Sequence, residues 1–288
     1  MKGNKIMKLW VLSCVAAMTM ACGHKGGPGS GNGDIDANGT GGDGGGPGGT
    51  DGSQGCTPSA TPTQCSNCKD DDGDGRVDGF DPECTGPADN DEATFATGIP
   101  GDNMDAINQD CFFDGDSGAG NDGCNIHVCC LLGATTQAEC RTKLGKNVNY
   151  DPTQCPPPIG TKPLSQQCIN VCGKLTPPGC DCFGCCTICD PASNQCSDII
   201  INPNTSPDCG PTTINDPTKC LTCMKSTTCG TSQCGGLSCV LCPGQDPSDL
   251  PASCTMTACP TGETTCTPDT PCGEGTYCSA GCCIGVIL

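Results

Sequence analysis

Residues 180–189 read CDCFGCCTIC, five cysteines in ten positions. Cysteine at this density means either thiolate ligands around a metal or half-cystines in a disulfide network, and the choice decides the fold. Cys182, Cys185, Cys186 and Cys189 are spaced as two CxxC pairs, enough for one tetrahedral zinc ion. CxxC recurs at 65/68, 220/223 and 239/242. In a reducing compartment that pattern favours zinc; in an oxidising one it favours disulfides. The compartment is therefore the first thing to read from the rest of the chain.

The N-terminus supplies it. Lys2, Lys5 and Lys8 make a basic start, and an apolar run from Leu9 to Ala21 follows. That run is shorter than the ~20 residues a membrane-spanning helix requires. Residues 1–21 thus have the build of a secretory signal peptide. Thr19-Met20-Ala21-Cys22 resembles a bacterial lipobox, with Ala21 before the cysteine and Thr19 where Leu is commonest. The resemblance implies cleavage before Cys22, lipidation of Cys22 and attachment to a membrane through that lipid. The chain has 34 cysteines; with Cys14 in the leader and Cys22 lipidated, an even number remains, as complete pairing requires.

Export moves 180–189 towards disulfides. Aromatic residues are 3% of the chain and its single Trp lies in the leader, so a large apolar core is out of reach and cross-links must carry much of the stability. Adjacent Cys185 and Cys186 pair poorly with each other, as do Cys180 and Cys182. Most of the five are therefore expected to reach distant partners, making the stretch a hub with Phe183 as its apolar filling. Connectivity stays open, because spacing does not determine it.

Residues 22–55 comprise the lipidated Cys22 and a glycine-rich segment with no further cysteine, expected to be a disordered tether reaching roughly 30 Å. Cysteines then run to the end, in an Asp-rich module (56–95), a cysteine-rich domain (96–196) and a C-terminal cysteine-rich region (197–288). With 43 Gly and 25 Pro, regular structure should be sparse. Thr136 and Glu139 have capping-box spacing before a helix over 137–144 ended by Gly145. Ser165 can cap another over 166–172, placing Cys168 and Cys172 on one face. DIII at 198–201 and IGVIL at 284–288 read as strands. DPTQC at 151 and DPTKC at 216 suggest a repeated turn. The expected fold class is a disulfide-rich chain of mostly irregular loops and turns, with short β-strands and one or two short helices.

The sharpest chemical pattern is DDDGDGRVDGFD at 70–81. It resembles the calcium loop shared by EF-hands, dockerin modules and thrombospondin type 3 repeats. The resemblance assigns Asp70, Asp72 and Asp74 to positions 1, 3 and 5, Gly75 to the sharp turn, and the backbone carbonyl of Arg76 to position 7. Asp78 takes position 9 and Asp81 position 12, where Glu is usual. Carboxylates at alternate positions of a tight loop converge on one point, which suits a hard cation that takes six to eight oxygens. Cysteines rather than helices flank the loop, so the expectation is structural calcium without a helical switch. Asp114, Asp116, Asn121 and Asp122 form a second, less regular oxygen-rich stretch. His127 is expected to pack rather than ligate.

The C-terminal PCGEGTYCSAGCC (271–283) resembles the cysteine-rich region of Dickkopf proteins and some knottin-like modules, which implies disulfides and no particular ligand. The order of lipobox, Gly-rich tether, CKDDDGDGRVDGFDPEC, TGIPGDNMDAINQDCFFDG and GCDCFGCC resembles predicted cysteine-rich lipoproteins of myxobacteria. That resemblance implies no activity.

The net charge is −19, and loss of the leader removes three lysines and no acid. Such a chain lacks the basic footprint of a nucleic-acid binder. It has two histidines, His24 and His127, and no nucleophile elbow, HExxH or phosphate loop. The expectation is a non-enzymatic cell-envelope lipoprotein that binds a protein or glycan partner. Gly23 after the lipidated cysteine leans it towards the outer membrane. An exported carboxylate-based hydrolase and a thiolate metal-binding protein are the alternatives.

Overall fold

The computed structural model describes residues 58–97, 105–115, 122–254, 258–267 and 270–286. The leader, Cys22 and the tether lie outside the described residues, as do Asp116 and Asn121 of the second oxygen-rich stretch.

Fifteen disulfides join thirty of the described cysteines. Cys68 is disulfide-bonded as well. The fold is a disulfide-rich assembly of loops and turns, with three two-stranded antiparallel sheets and short helices among the described residues. Cystine sulfur fills the interior where a conventional domain would place aliphatic side chains. One core cluster gathers eleven half-cystines with Ile126, Leu131, Leu132, Tyr150, Phe183 and Ile200; a second gathers Phe95, Phe112, Ile188, Ile199, Ile201 and Ile214 around four more.

The first cluster is built on β1 (Asn108–Gln109), β2 (Ile126–His127), α1 (Val128–Leu131), α2 (Gln137–Leu144) and α3 (Gln166–Val171). α2 has the expected bounds. Thr136 accepts from the Glu139 N–H at 3.2 Å, and Gly145 closes the helix at φ +63°. The reciprocal half of the box forms one residue earlier than expected: Glu139 accepts from the N–H and hydroxyl of Thr135, not from Thr136. The only buried side chain of α2 is Cys140, so its bond to Cys129, rather than an apolar stripe, holds the helix down. Ser165 caps α3 by accepting from Cys168 N–H at 3.0 Å. Cys168 and Cys172, one turn apart, bond to Cys124 and Cys111.

The opening stretch forms a turn and then β3 (Cys185–Cys189), which pairs with β4 (Cys196–Ile200) from Cys185↔Ile200 to Cys189↔Cys196. β4 begins two residues before the expected 198, so the stretch boundary at 196/197 falls inside a strand. The turn is organised by Asp181, which is fully buried. Its carboxylate accepts from the N–H groups of Phe183 and Cys185 at 3.0 Å each and of Ser226 at 2.8 Å. Gly184 sits at φ +80° against the Phe112 ring, a conformation and a space that exclude a side chain.

The pairings correct the expectation of mostly distant partners. Cys182 bonds Cys229 and Cys185 bonds Cys223, but Cys180 closes on Cys186 within the stretch, and Cys189 crosses the hairpin to Cys196. The turn set by Asp181 folds the segment back on itself, bringing 180 beside 186. Phe183 is fully buried at the centre.

The C-terminal hairpin pairs β5 (Thr276–Ser279) with β6 (Cys282–Gly285) through a two-residue turn, Ala280-Gly281, with φ +46° and +80°. β6 starts two residues before the expected 284 because the Cys-Cys pair belongs to it. The bonds Cys259–Cys282, Cys266–Cys278 and Cys272–Cys283 join the first and fifth, second and fourth, and third and sixth cysteines of 259–283.

This hairpin clamps the Asp-rich module. Tyr277 donates its hydroxyl to the carbonyl of Cys65 at 2.9 Å, and Ala280 N–H donates to the carbonyl of Gly79 at 2.7 Å. A Cβ at Gly79 would lie 1.6 Å from the Cys278 carbonyl oxygen, so only glycine permits this approach.

Candidate metal centre

The loop begins at the turn after Cys68. Gly73 and Gly75 take φ +83° and +97°, which lets the chain coil tightly enough to bring alternate side chains together. Carboxylate oxygens of Asp70, Asp72 and Asp74 lie within 4.8 Å of one another on the exposed side. Backbone donors hold them there. Asp70 accepts from Gly73 N–H at 2.7 Å and Gly75 N–H at 3.0 Å. Asp72 accepts from Asp74 N–H at 3.0 Å, and Asp74 from Arg76 N–H at 2.8 Å. Each oxygen has a second lone pair beyond the one these bonds use. Desolvation, with the charges of Asp74 and Asp70, pushes the Asp72 carboxyl above its ordinary range.

The other two positions of the loop are Asp78 and the backbone carbonyl of Arg76. Asp78 is committed to the base of the loop, accepting from Asn67 N–H and Cys68 N–H at 3.1 Å each. Arg76 reaches away with its side chain and pairs with Asp246 at 3.8 Å. The 3₁₀ turn at Asp78–Phe80 then carries the chain inward to Asp81.

Asp81 is 3% exposed, and Glu83, two residues on, is fully buried. Asp81 Oδ1 accepts from Glu83 N–H at 2.9 Å. Asp81 Oδ2 and both carboxylate oxygens of Glu83 are buried with no N–H donor. Burial pushes both carboxyls above their ordinary range; contact with Asp81 raises Glu83 further, while the hydrogen bonds from Glu83 pull Asp81 back down, so Glu83 holds a proton the more tightly. The charges of Asp72 and Asp74 bear on Asp81, and that of Asp74 on Glu83. The exposed trio and the buried pair are therefore two sides of one acidic locus. Among the described residues neither side has a paired base, since Arg76 is engaged with Asp246.

Not every buried acid here is orphaned. Asp89 accepts from the N–H and hydroxyl of Thr85 and from Asp91 N–H, all at 3.1 Å. Glu92 accepts from Asp71 N–H at 2.6 Å and Asp78 N–H at 3.0 Å. Burial pushes both carboxyls up to about 7. Glu92 fastens the loop to the module, beside the Cys65–Cys84 disulfide, while Asp89 holds the turn at 85–91. Buried polar groups are normally satisfied, and the contrast within one small module singles out Asp81 and Glu83.

Asp70, Asp72 and Asp74 offer three convergent carboxylates and no nitrogen or sulfur, the donor chemistry of calcium rather than zinc. Asp81, assigned to position 12, and Glu83 are not part of that convergent group. Glu83 lies outside the twelve-residue pattern, so loop spacing does not find it. The available signal was its place two residues after Asp81 and directly before a half-cystine.

The other groups carry no comparable chemistry. Cysteines 180, 182, 185, 186 and 189 are all disulfide-bonded, which leaves no thiolate in the hub for a metal. His127 caps α1, accepting from Cys129 N–H at 3.1 Å, and packs at a tilt against Tyr150 with ring centres 5.0 Å apart. Of the second oxygen-rich stretch, Asp122 accepts from Cys124 N–H and Asp114 closes a 3₁₀ turn. No protein-family model, curated protein or solved structure matches the chain.

Proposed function

We propose that this chain is an exported, non-enzymatic lipoprotein of the cell envelope, whose disulfide-stabilised ectodomain carries one structural calcium site. The observation that carries the reading is the convergence of the exposed Asp70, Asp72 and Asp74 carboxylates, in a module that also buries Asp81 and Glu83. Several acids held this close, part of them out of water, repel one another unless a proton or a cation joins them. Calcium would be held by Asp70, Asp72 and Asp74 and would neutralise part of that charge.

The same pair bears on the hydrolase alternative. General acid–base chemistry needs carboxyls that a substrate can reach. Asp81 and Glu83 are 3% and 0% exposed, and the cavity touching Asp81 holds about 10 Å³. A catalytic pair does not suit that enclosure.

The disulfides support export, since they persist in oxidising compartments. Cys22 supports the lipid anchor, and Gly23 the outer membrane. The test is fractionation of a bacterium expressing the full chain. The wild type is expected in the outer-membrane fraction, and Cys22→Ser in the soluble exported fraction. A Cys22→Ser protein that stays with the membrane contradicts the lipid anchor.

A further inference from the structure

The β3–β4 hairpin ends on a cross-strand disulfide. Cys189 and Cys196 face one another at the last pair of the ladder and are bonded. A second disulfide, Cys234–Cys242, closes the loop that packs beside them. The sulfurs of Cys189, Cys196 and Cys242 lie within 4.8 Å of one another. Disulfides exchange partners when a thiolate attacks one of their sulfurs, so two bonds this close are coupled once a thiolate enters.

The two bonds are unequally accessible. Cys196 is exposed, whereas Cys189 and Cys242 are 0% and 2% exposed. The backbone holds Cys189 against 243–244 independently of either disulfide. Cys189 N–H donates to the Pro243 carbonyl at 2.9 Å, and a Cβ at Gly244 would lie 2.3 Å from the Cys189 carbonyl oxygen. Gln245 ties the same segment to the hairpin turn. Its Nε2 donates to Asn194 Oδ1 at 3.0 Å, and its Oε1 accepts from Cys242 N–H at 2.9 Å. Opening Cys189–Cys196 therefore leaves Cys189 beside Cys242. Sulfurs of different disulfides also approach where Cys168 meets Cys229, at 4.0 Å, and where Cys266 meets Cys272 and Cys283, but none of those cysteines is exposed.

We propose that Cys196 is a modification site for a low-molecular-weight thiol and the entry to a relay between these two disulfides. The incoming thiolate attacks Cys196 Sγ. A mixed disulfide forms there, the Cys189–Cys196 bond breaks, and its electron pair leaves on Cys189. Burial disfavours a free thiolate at Cys189, and Cys242 Sγ is the adjoining acceptor. Cys189 attacks it: the Cys189–Cys242 bond forms, Cys234–Cys242 breaks, and Cys234 leaves as a thiolate that takes its proton from water. Two disulfide bonds exist before and after, so no further oxidant or reductant is consumed. The relay moves the free thiol from the incoming molecule to Cys234, at the base of the loop that carries the exposed Leu237.

The full oxidised protein is incubated with limiting β-mercaptoethanol, quenched over time with N-ethylmaleimide in denaturant, and mapped by non-reducing peptide mass spectrometry. The expected first product carries the adduct on Cys196, a Cys189–Cys242 disulfide and maleimide on Cys234. It should form at least about tenfold faster than an adduct at any other half-cystine. A variant with both Cys234→Ser and Cys242→Ser has no second disulfide, and the maleimide should appear on Cys189 instead. No adduct on Cys196, or a first adduct elsewhere, overturns the proposal. So does a wild-type adduct on Cys196 with maleimide on Cys189 and Cys234–Cys242 intact. The wild-type map decides even where the variant does not fold.

Discussion

The N–H of Glu83 donates to Oδ1 of Asp81 at 2.9 Å, and this places two buried carboxyls side by side beneath a loop that already exposes three more. Three of the four oxygens in the pair have no N–H donor. The arrangement concentrates like charge at the junction of two parts of the chain, where the C-terminal hairpin docks on the Asp-rich module.

That docking depends on Gly79. Gly79→Ala places a methyl 1.6 Å from the Cys278 carbonyl oxygen, so the hairpin must shift. The expected cost is at least the ~1–3 kcal/mol of overpacking. Hydrogen exchange should quicken at Ala280, whose N–H bonds the Gly79 carbonyl, while Cys168 in α3 keeps its protection. Unchanged exchange at Ala280 contradicts the clamp. Tyr277→Phe removes one hydrogen bond and should cost about 1 kcal/mol.

The hub makes a prediction about connectivity. Non-reducing peptide mapping of the exported protein should recover Cys180–Cys186, Cys182–Cys229 and Cys185–Cys223, with no free thiol among residues 180–189. Recovery of zinc bound to reduced cysteines there contradicts the fold.

Asp181 sets a pH dependence. Burial raises its carboxyl from 3.8 to about 6 in the folded chain, against the lowering effect of its N–H donors. Its folded form therefore holds the proton more tightly than the unfolded form does. The resulting stabilisation is complete below the ordinary value and is lost as pH rises through about 6. Asp181→Asn cannot titrate and turns an NH₂ group towards Ser226 N–H. It should be less stable by about 1–3 kcal/mol near neutral pH. Its denaturant midpoint should change less than the wild type's between about pH 4 and about pH 7. Equal slopes for the two proteins contradict the assignment.

Local chemistry made parts of this fold legible. Thr136 and Gly145 mark the two ends of α2 because capping is decided within one turn of chain. The repeated DPT turn is legible for the same reason: Asp151 and Asp216 each accept from the N–H and hydroxyl of the Thr two residues on. The convergence of Asp70, Asp72 and Asp74 likewise follows from spacing and two glycines. The roles of Asp78 and Glu83 were not legible. Asp78 is taken by the backbone of residues 67 and 68, and Glu83 is fully buried in a module on which a hairpin about 200 residues away in sequence docks. Cys180–Cys186 was equally hidden, because it depends on the tight turn that buried Asp181 imposes.

Calcium binding is tested most directly by calorimetry on the full oxidised protein, with Asp70→Asn and Asp74→Asn measured beside it. The account predicts saturable binding at one site, in the roughly 0.1–1 mM range of extracellular modules. Each substitution should weaken it at least about tenfold, while Asp190→Asn, remote from the loop, leaves it unchanged. No saturable heat and no rise in melting temperature at about 5 mM calcium, well above that range, would contradict the account.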